Sequence, residues 1–173
     1  MKEEGVWYYS EVDTPVGKMV LNLFNDQGIR IDFGTFEEKK SLYEAWAKKY
    51  VHVRSWEENK QKLAHVAQEI RQYFAGERTT FTFPYVLYGT EFQKDVWHYL
   101  VEDIGFSTLQ TYKDVAEGVQ RPKASRAVGG AVNKNPLSIV VPCHRVVGSS
   151  GALVGYGGGL DKKEALLQLE EAK

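Results

Sequence analysis

The first thirty-three residues are built from apolar runs of strand length. "VWYYSEV" (6–12) and "KMVLNLF" (18–24) are rich in β-branched and aromatic residues and are separated by the turn-like "DTPVG"; "NDQG" then leads to a third run, "IRIDF" (29–33). Three strands are predicted there. Residues 37–50 alternate charged and apolar groups at helical spacing. A second helix is predicted from Ser55. Ser55 and Glu58 have capping-box spacing, Leu63, Val66, Ala67 and Ile70 form an apolar stripe, and Gly76 supplies a stop. "TTFTFPYVLYG" (79–89) reads as an extended connection, with Pro84 discouraging further helix.

The pattern then changes. Thr90 and Gln93 have capping-box spacing and open a helix whose Phe92, Val96, Tyr99 and Leu100 share a face. A short helix is predicted over Tyr112–Val119 and another from Lys123 to Val132, with "QRP" between them, a helix-turn-helix pattern. After "NKNP" come the strand-like "LSIVVP" (137–142), a glycine-rich loop, and a last helix from Asp161 with Glu164 as its capping partner. No repeat or low-complexity tract interrupts this order. The expected division is an N-terminal α/β supporting domain over 1–83, a linker over 84–88, and a mainly helical domain over 89–173.

Composition narrows the classes. The chain has 173 residues, 43% hydrophobic and 26% charged, as in ordinary folded soluble proteins. No apolar stretch approaches the roughly 18 residues needed to span a bilayer, and the N-terminus lacks the order of a signal peptide. The expectation is therefore a cytoplasmic protein with no membrane partner. A single cysteine cannot form an internal disulfide. Net charge is −1, yet between Gln110 and Val147 six basic residues (Lys113, Arg121, Lys123, Arg126, Lys134, Arg145) face two acidic ones (Asp114, Glu117). Such an excess suits a phosphate backbone or simply a solvated face.

Two features carry candidate chemistry. The helix "KASRAVGGAV" is built from Ala124, Ser125, Ala127, Gly129, Gly130 and Ala131, with Arg126 as the one long side chain near its middle. Two glycines cost a helix about 1 kcal/mol each against alanine. A smooth helix with one arginine suits the minor groove, about 6 Å wide in B-form DNA, or else tight helix packing. The second feature is Cys143, followed by His144. A lone cysteine is commonly an inert buried hydrophobe; a reactive one needs a base to make thiolate. His144 could take the proton directly or through a water; neighbours on a strand point to opposite faces, so it would not touch the sulfur unless the chain turns there. Glu170 is available to orient the imidazole, although spacing alone does not pair them.

"PCHRV" (142–146), preceded by "RAVGGAVNKNP" (126–136) and followed by "SSGALVGYGGGLDKKEALL" (149–167), resembles the O6-alkylguanine-DNA alkyltransferases, also called methylated-DNA–protein-cysteine methyltransferases. The resemblance runs from about Gly89 to Glu170, and "GTEFQKDVWHYL" fits the helix that opens the family's active domain. It implies an α+β fold: a ribonuclease-H-like α/β N-terminal domain, then a mainly helical, winged-helix-like domain with the helix-turn-helix. It implies a monomer that binds double-stranded DNA containing O6-alkylguanine, with O4-methylthymine as a second lesion, and flips the base through the minor groove. Alkyl transfer is then irreversible and occurs once per molecule. Cys143 would be the acceptor, His144 the base through water, Glu170 its orienting carboxylate, and Asn135 the brace of the turn. Arg126 would replace the flipped base, and Tyr112 would crowd the target phosphate and donate to the guanine ring. Lys123, Ala124, Ser125, Ala127 and Gly129 would line the groove. Val146, Tyr156, Gly157 and Gly158 would form the pocket. No metal or organic cofactor is called for, since His52, His65, His98 and His144 show no ligand spacing.

The sequence departs from the family at "GFSTLQTY" (105–112), which lacks the usual glycine-plus-acid step, and at Gly157, where some members carry serine. The main alternative is a non-enzymatic alkylated-DNA-binding protein of the alkyltransferase-like kind, but those lack the acceptor cysteine. A self-methylating regulator would need further domains for which this chain is too short. A Cys-His hydrolase would leave the small-residue helix without a purpose.

Overall fold

The computed structural model describes residues 2–171. The chain divides after Tyr88 into two compact units. In the first, the predicted strand runs form an antiparallel meander: β1 (Glu3–Thr14), β2 (Gly17–Phe24) and β3 (Gln27–Phe33). Helix α1 (Phe36–Tyr50) follows, opened by a capping box between Thr35 and Glu38. It crosses over to β4 (Val51–Glu58), which pairs parallel with β1 and gives the sheet order β3-β2-β1-β4. Trp7, Val20, Phe24, Ile29, Tyr43, Ala47 and Val51 form the core between sheet and helix. Trp56 on β4 lies against Trp7 with ring centroids 4.7 Å apart.

Strand β4 corrects the sequence reading. Ser55 and Glu58 are not a capping box: they sit on this strand, and Ser55 Oγ donates to Glu57. Pairing with β1 and burial beside Trp7 override the local capping signal. Helix α2 starts instead at Ala64 (Ala64–Phe74), without a side-chain cap, and buries Val66, Ala67 and Ile70 of the predicted stripe. Gly76 takes the left-handed conformation just past its end (φ 79°). Residues 79–89 form an irregular connection without helix, bending at 79, 80, 83 and 89, and Gly28 exchanges backbone hydrogen bonds with Pro84 and Val86.

The second unit opens with α3 (Glu91–Asp103) behind the predicted Thr90–Gln93 capping box, burying Val96, Trp97 and Leu100. Two-residue strands β5 (Gln110–Thr111) and β6 (Val146–Val147) pair in parallel. Between them lie α4 (Tyr112–Gly118) and α5 (Ser125–Asn133), and α6 (Leu160–Glu171) closes the unit. Helix α5 begins later than predicted, so Lys123 lies in the preceding turn and Ala124 at the cap position. Helix α6 begins at Leu160, which puts Asp161 inside the first turn instead of at the cap. The predicted strand 137–142 is absent. Ile139 takes a left-handed conformation (φ 74°), and Cys143–Arg145 form a 3-10 turn. Among the described residues, no helix is long and apolar enough to cross a membrane.

Candidate active site

The turn that presents Cys143 is clamped by Asn135. Its side-chain amide donates to Val141 O (2.8 Å) and its carbonyl accepts from Leu137 N (2.9 Å). Inside this clamp Val141 N donates to Leu137 O and Cys143 N to Val141 O. A β-branched residue in the left-handed region costs about 1–3 kcal/mol and persists where its surroundings over-determine it; Ile139 is buried here with both flanks hydrogen-bonded. Because Cys143 and His144 lie in a 3-10 turn, they do not point to opposite faces as strand neighbours would.

Cys143 and His144 are both fully buried. His144 Nε2 lies 2.6 Å from Glu170 Oε2. A carboxylate accepts, so Nε2 carries the hydrogen and Nδ1 keeps the lone pair. Nδ1 is buried without a hydrogen-bond partner. Glu170 is held in turn by Arg145, whose Nε and Nη2 donate to its two oxygens at 2.9 and 3.0 Å; Arg145 Nη1 donates to Ile104 O. Arg145 is therefore a buried partner of the carboxylate and not part of a phosphate-facing surface, which corrects the charge reading.

Burial sets the protonation states. It pushes the Cys143 thiol well above its usual range, opposed by the Lys163 charge and a hydrogen bond from Asn135. It pushes His144 below its ordinary value, opposed by Glu170. The resting pair is thus a protonated thiol beside a neutral imidazole with a free basic nitrogen. A thiol in this state needs a base to become the reactive thiolate.

Lys163 escaped the sequence reading. It is fully buried, and its Nζ donates to Val146 O (2.6 Å), Gly155 O (3.2 Å) and Val154 O (3.3 Å). Burial lowers its pKa, and the nearby Cys143 opposes this. The available signal was its face: Lys163, Leu166 and Glu170 are three and four residues apart on α6 and all three are buried.

Tyr112, the first residue of α4, reaches the same loop. Its hydroxyl donates to Val154 O (2.7 Å), and burial, followed by the closeness of Cys143, raises its pKa. The phenol of Tyr156 is pushed up by burial and by Cys143 and Glu170. Val146 is buried and lends its carbonyl to Lys163, whereas Gly157 is exposed and Gly158 half-buried. A Cβ on Gly157 would lie 3.3 Å from Asn133 O, tight for any larger residue.

The helix-turn-helix is present as α4 and α5, with Gln120 left-handed (φ 62°) in the turn. Helix α5 buries Val128, Ala131 and Val132, and Trp97 Nε1 donates to Ala131 O. Its other face exposes Arg126, Ala127 and Gly130, with Ala124, Ser125 and Gly129 half-buried; Lys123 is exposed just before it. The structure thus gathers Cys143, His144, Glu170, Asn135, Tyr112 and Tyr156 into one neighbourhood of the second unit. Among the described residues, no three His, Cys, Asp or Glu side chains cluster to hold a metal ion.

The second unit thus places a buried thiol and a neutral imidazole on a helix-turn-helix scaffold that displays a smooth helix. Comparison with known proteins identifies the class. Residues 91–172 match the family described as 6-O-methylguanine DNA methyltransferase, DNA binding domain, and residues 7–87 match its ribonuclease-like domain. A methylated-DNA–protein-cysteine methyltransferase of Methanosarcina barkeri is 40% identical over 166 residues, covering 95% of this chain and 97% of that protein. The inducible one of Bacillus subtilis is 44% identical over 132 residues, covering 76% and 73%. The crystal structure of Mycobacterium tuberculosis O6-methylguanine methyltransferase superposes with a TM-score of 0.80 at 34% identity, covering 96% of this chain and 94% of that one. A structure of the M. tuberculosis protein in complex with DNA gives 0.80 at 33% identity, covering 95% and 93%. The chain belongs to the 6-O-methylguanine DNA methyltransferase family of enzymes.

Proposed function

We propose that this chain repairs double-stranded DNA as a monomer in the cytoplasm, moving the O6-alkyl group of a damaged guanine irreversibly onto Cys143. O4-methylthymine, with the same alkoxy carbon beside a ring nitrogen, is the second substrate. The observation that carries this reading is the buried thiol beside a neutral imidazole, with Nε2 fixed by Glu170 and Nδ1 open. The thiol proton passes through a water to His144 Nδ1. The sulfur then bonds to the alkyl carbon as that carbon's bond to O6 breaks, and the electron pair stays with the guanine. Tyr112, turning its hydroxyl from Val154 O to the ring, donates a hydrogen to the departing base.

In this reading α5 enters the minor groove, with Lys123, Ala124, Ser125, Ala127 and Gly129 along it, and Arg126 fills the stack as the guanine turns out. Extrusion costs a few kcal/mol, less for a poorly paired alkylated base. Val146, Tyr156, Gly157 and Gly158 form the pocket. Residues 89–173 carry binding and transfer, and 1–83 support them. The thioether product has no good leaving group, and no second cysteine exists to release it. A duplex carrying one O6-methylguanine tests the proposal. Wild type should restore one guanine per protein molecule, and Cys143→Ser should bind the duplex but restore none. Repair beyond one equivalent, or repair by the serine variant, would overturn it.

A further inference from the structure

Glu170, which orients His144, stands in the last turn of α6. The last four carbonyls of a helix lack intrahelical partners, and such ends fray first. Fraying here would move the carboxylate away from the imidazole. The loop before β5 meets this weak point twice through one residue. Ser107 Oγ donates to the backbone carbonyl of Glu170 (3.0 Å), and Ser107 N donates to Glu170 Oε1 (3.2 Å). The same loop holds Arg145: Ile104 O accepts from its Nη1 (2.8 Å), and its guanidinium lies 5.7 Å from the Phe106 ring centroid.

Ser107 does this from the left-handed region (φ 68°), which costs a non-glycine residue conformational energy. Glycine would adopt that conformation freely and would still offer the backbone N–H. What serine adds is the hydroxyl bond to the end of α6. We infer that Ser107 is a positioning residue for the transfer reaction, whose hydroxyl holds the last turn of α6 so that Glu170 keeps His144 aligned. This inference rests on the proposed role of Cys143 as acceptor.

The charged and titratable groups that act on His144 are Glu170, Arg145 and Lys163. Burial, Arg145 and Lys163 lower its pKa, and Glu170 alone raises it. A slackened Glu170 contact therefore leaves His144 less basic. The test follows benzyl transfer from free O6-benzylguanine to Cys143 by intact-protein mass, as a function of pH, in wild type, Ser107→Gly and Ser107→Asn. In Ser107→Gly the plateau rate should fall about fivefold, the factor one intramolecular hydrogen bond typically carries. The acid limb of its profile should move to lower pH, and amide exchange in the last turn of α6 should quicken. Ser107→Asn, which tolerates the left-handed region and retains a donor, should recover most of the rate. An unchanged Ser107→Gly profile, or a uniform loss of rate at every pH that tracks a loss of thermal stability, would overturn the positioning role. A wild type that takes up no benzyl group would instead overturn the acceptor role of Cys143, and this inference with it.

Discussion

Cys143 and His144 are chain neighbours, yet burial moves their titrations in opposite senses, the thiol up and the imidazole down. Each shift is also a statement about stability. The unfolded chain releases the thiol proton first, from about pH 8.5, so wild type loses stability as pH rises beyond that value. Denaturant midpoints of wild type and Cys143→Ser should therefore diverge above about pH 8.5, with wild type falling faster; parallel curves would contradict a buried thiol. The lowered His144 acts on the other side. Its contribution is intact above about pH 6.5 and is lost as pH falls, because the unfolded imidazole takes up a proton first. Glu170 belongs to the same scale. Glu170→Gln leaves Arg145, 6% exposed, without its counter-charge. Removing one partner of a buried pair typically costs about 3–5 kcal/mol, so urea unfolding should show a loss of that order.

At the scale of elements, two glycines of the helix-turn-helix behave differently. A Cβ on Gly118 would lie 2.3 Å from the Tyr99 ring, and that ring is fixed by its hydroxyl bond to Gln110 Oε1 (2.8 Å). Gly118→Ala should push α4 off α3 and destabilise by about 1–3 kcal/mol, measured by thermal or urea unfolding. Gly130 has nothing within 4 Å of its would-be Cβ and lies on the exposed face of α5. Gly130→Ala should stabilise the protein by about 1 kcal/mol through helix propensity. Arg126 shares that face, and its proposed place in the stack needs a duplex. Arg126→Ala should weaken repair of duplex O6-methylguanine far more than benzyl transfer from free O6-benzylguanine; equal losses would remove the arginine from the stack.

Over the whole molecule, much of this was legible in the order of residues. Strands β1 to β3, α1 and the Thr90–Gln93 cap follow from local pattern, because each is marked by an apolar run, a helical spacing or a cap that a short window contains. Strand β4 is hidden because its partner residues on β1 lie 48 to 49 positions away in the parallel register (Glu3 with Val51, Tyr9 with Glu58) and its own residues mimic a helix cap. The turn before Cys143 was hidden for another reason: Ile139, a strand-forming residue, is held left-handed by the Asn135 clamp. The burial of Lys163 and Arg145 is not legible in the sequence, because long cations are seldom buried and theirs depends on carbonyls and a carboxylate gathered from distant segments.

If Cys143 is a consumable acceptor, purified protein mixed with an equimolar duplex carrying O6-methylguanine should gain the mass of one methyl group and never more. Peptide mapping should place that group on Cys143, and Cys143→Ser should show no gain. Tight binding without a mass change, a methyl group on another residue, or continued turnover would contradict it.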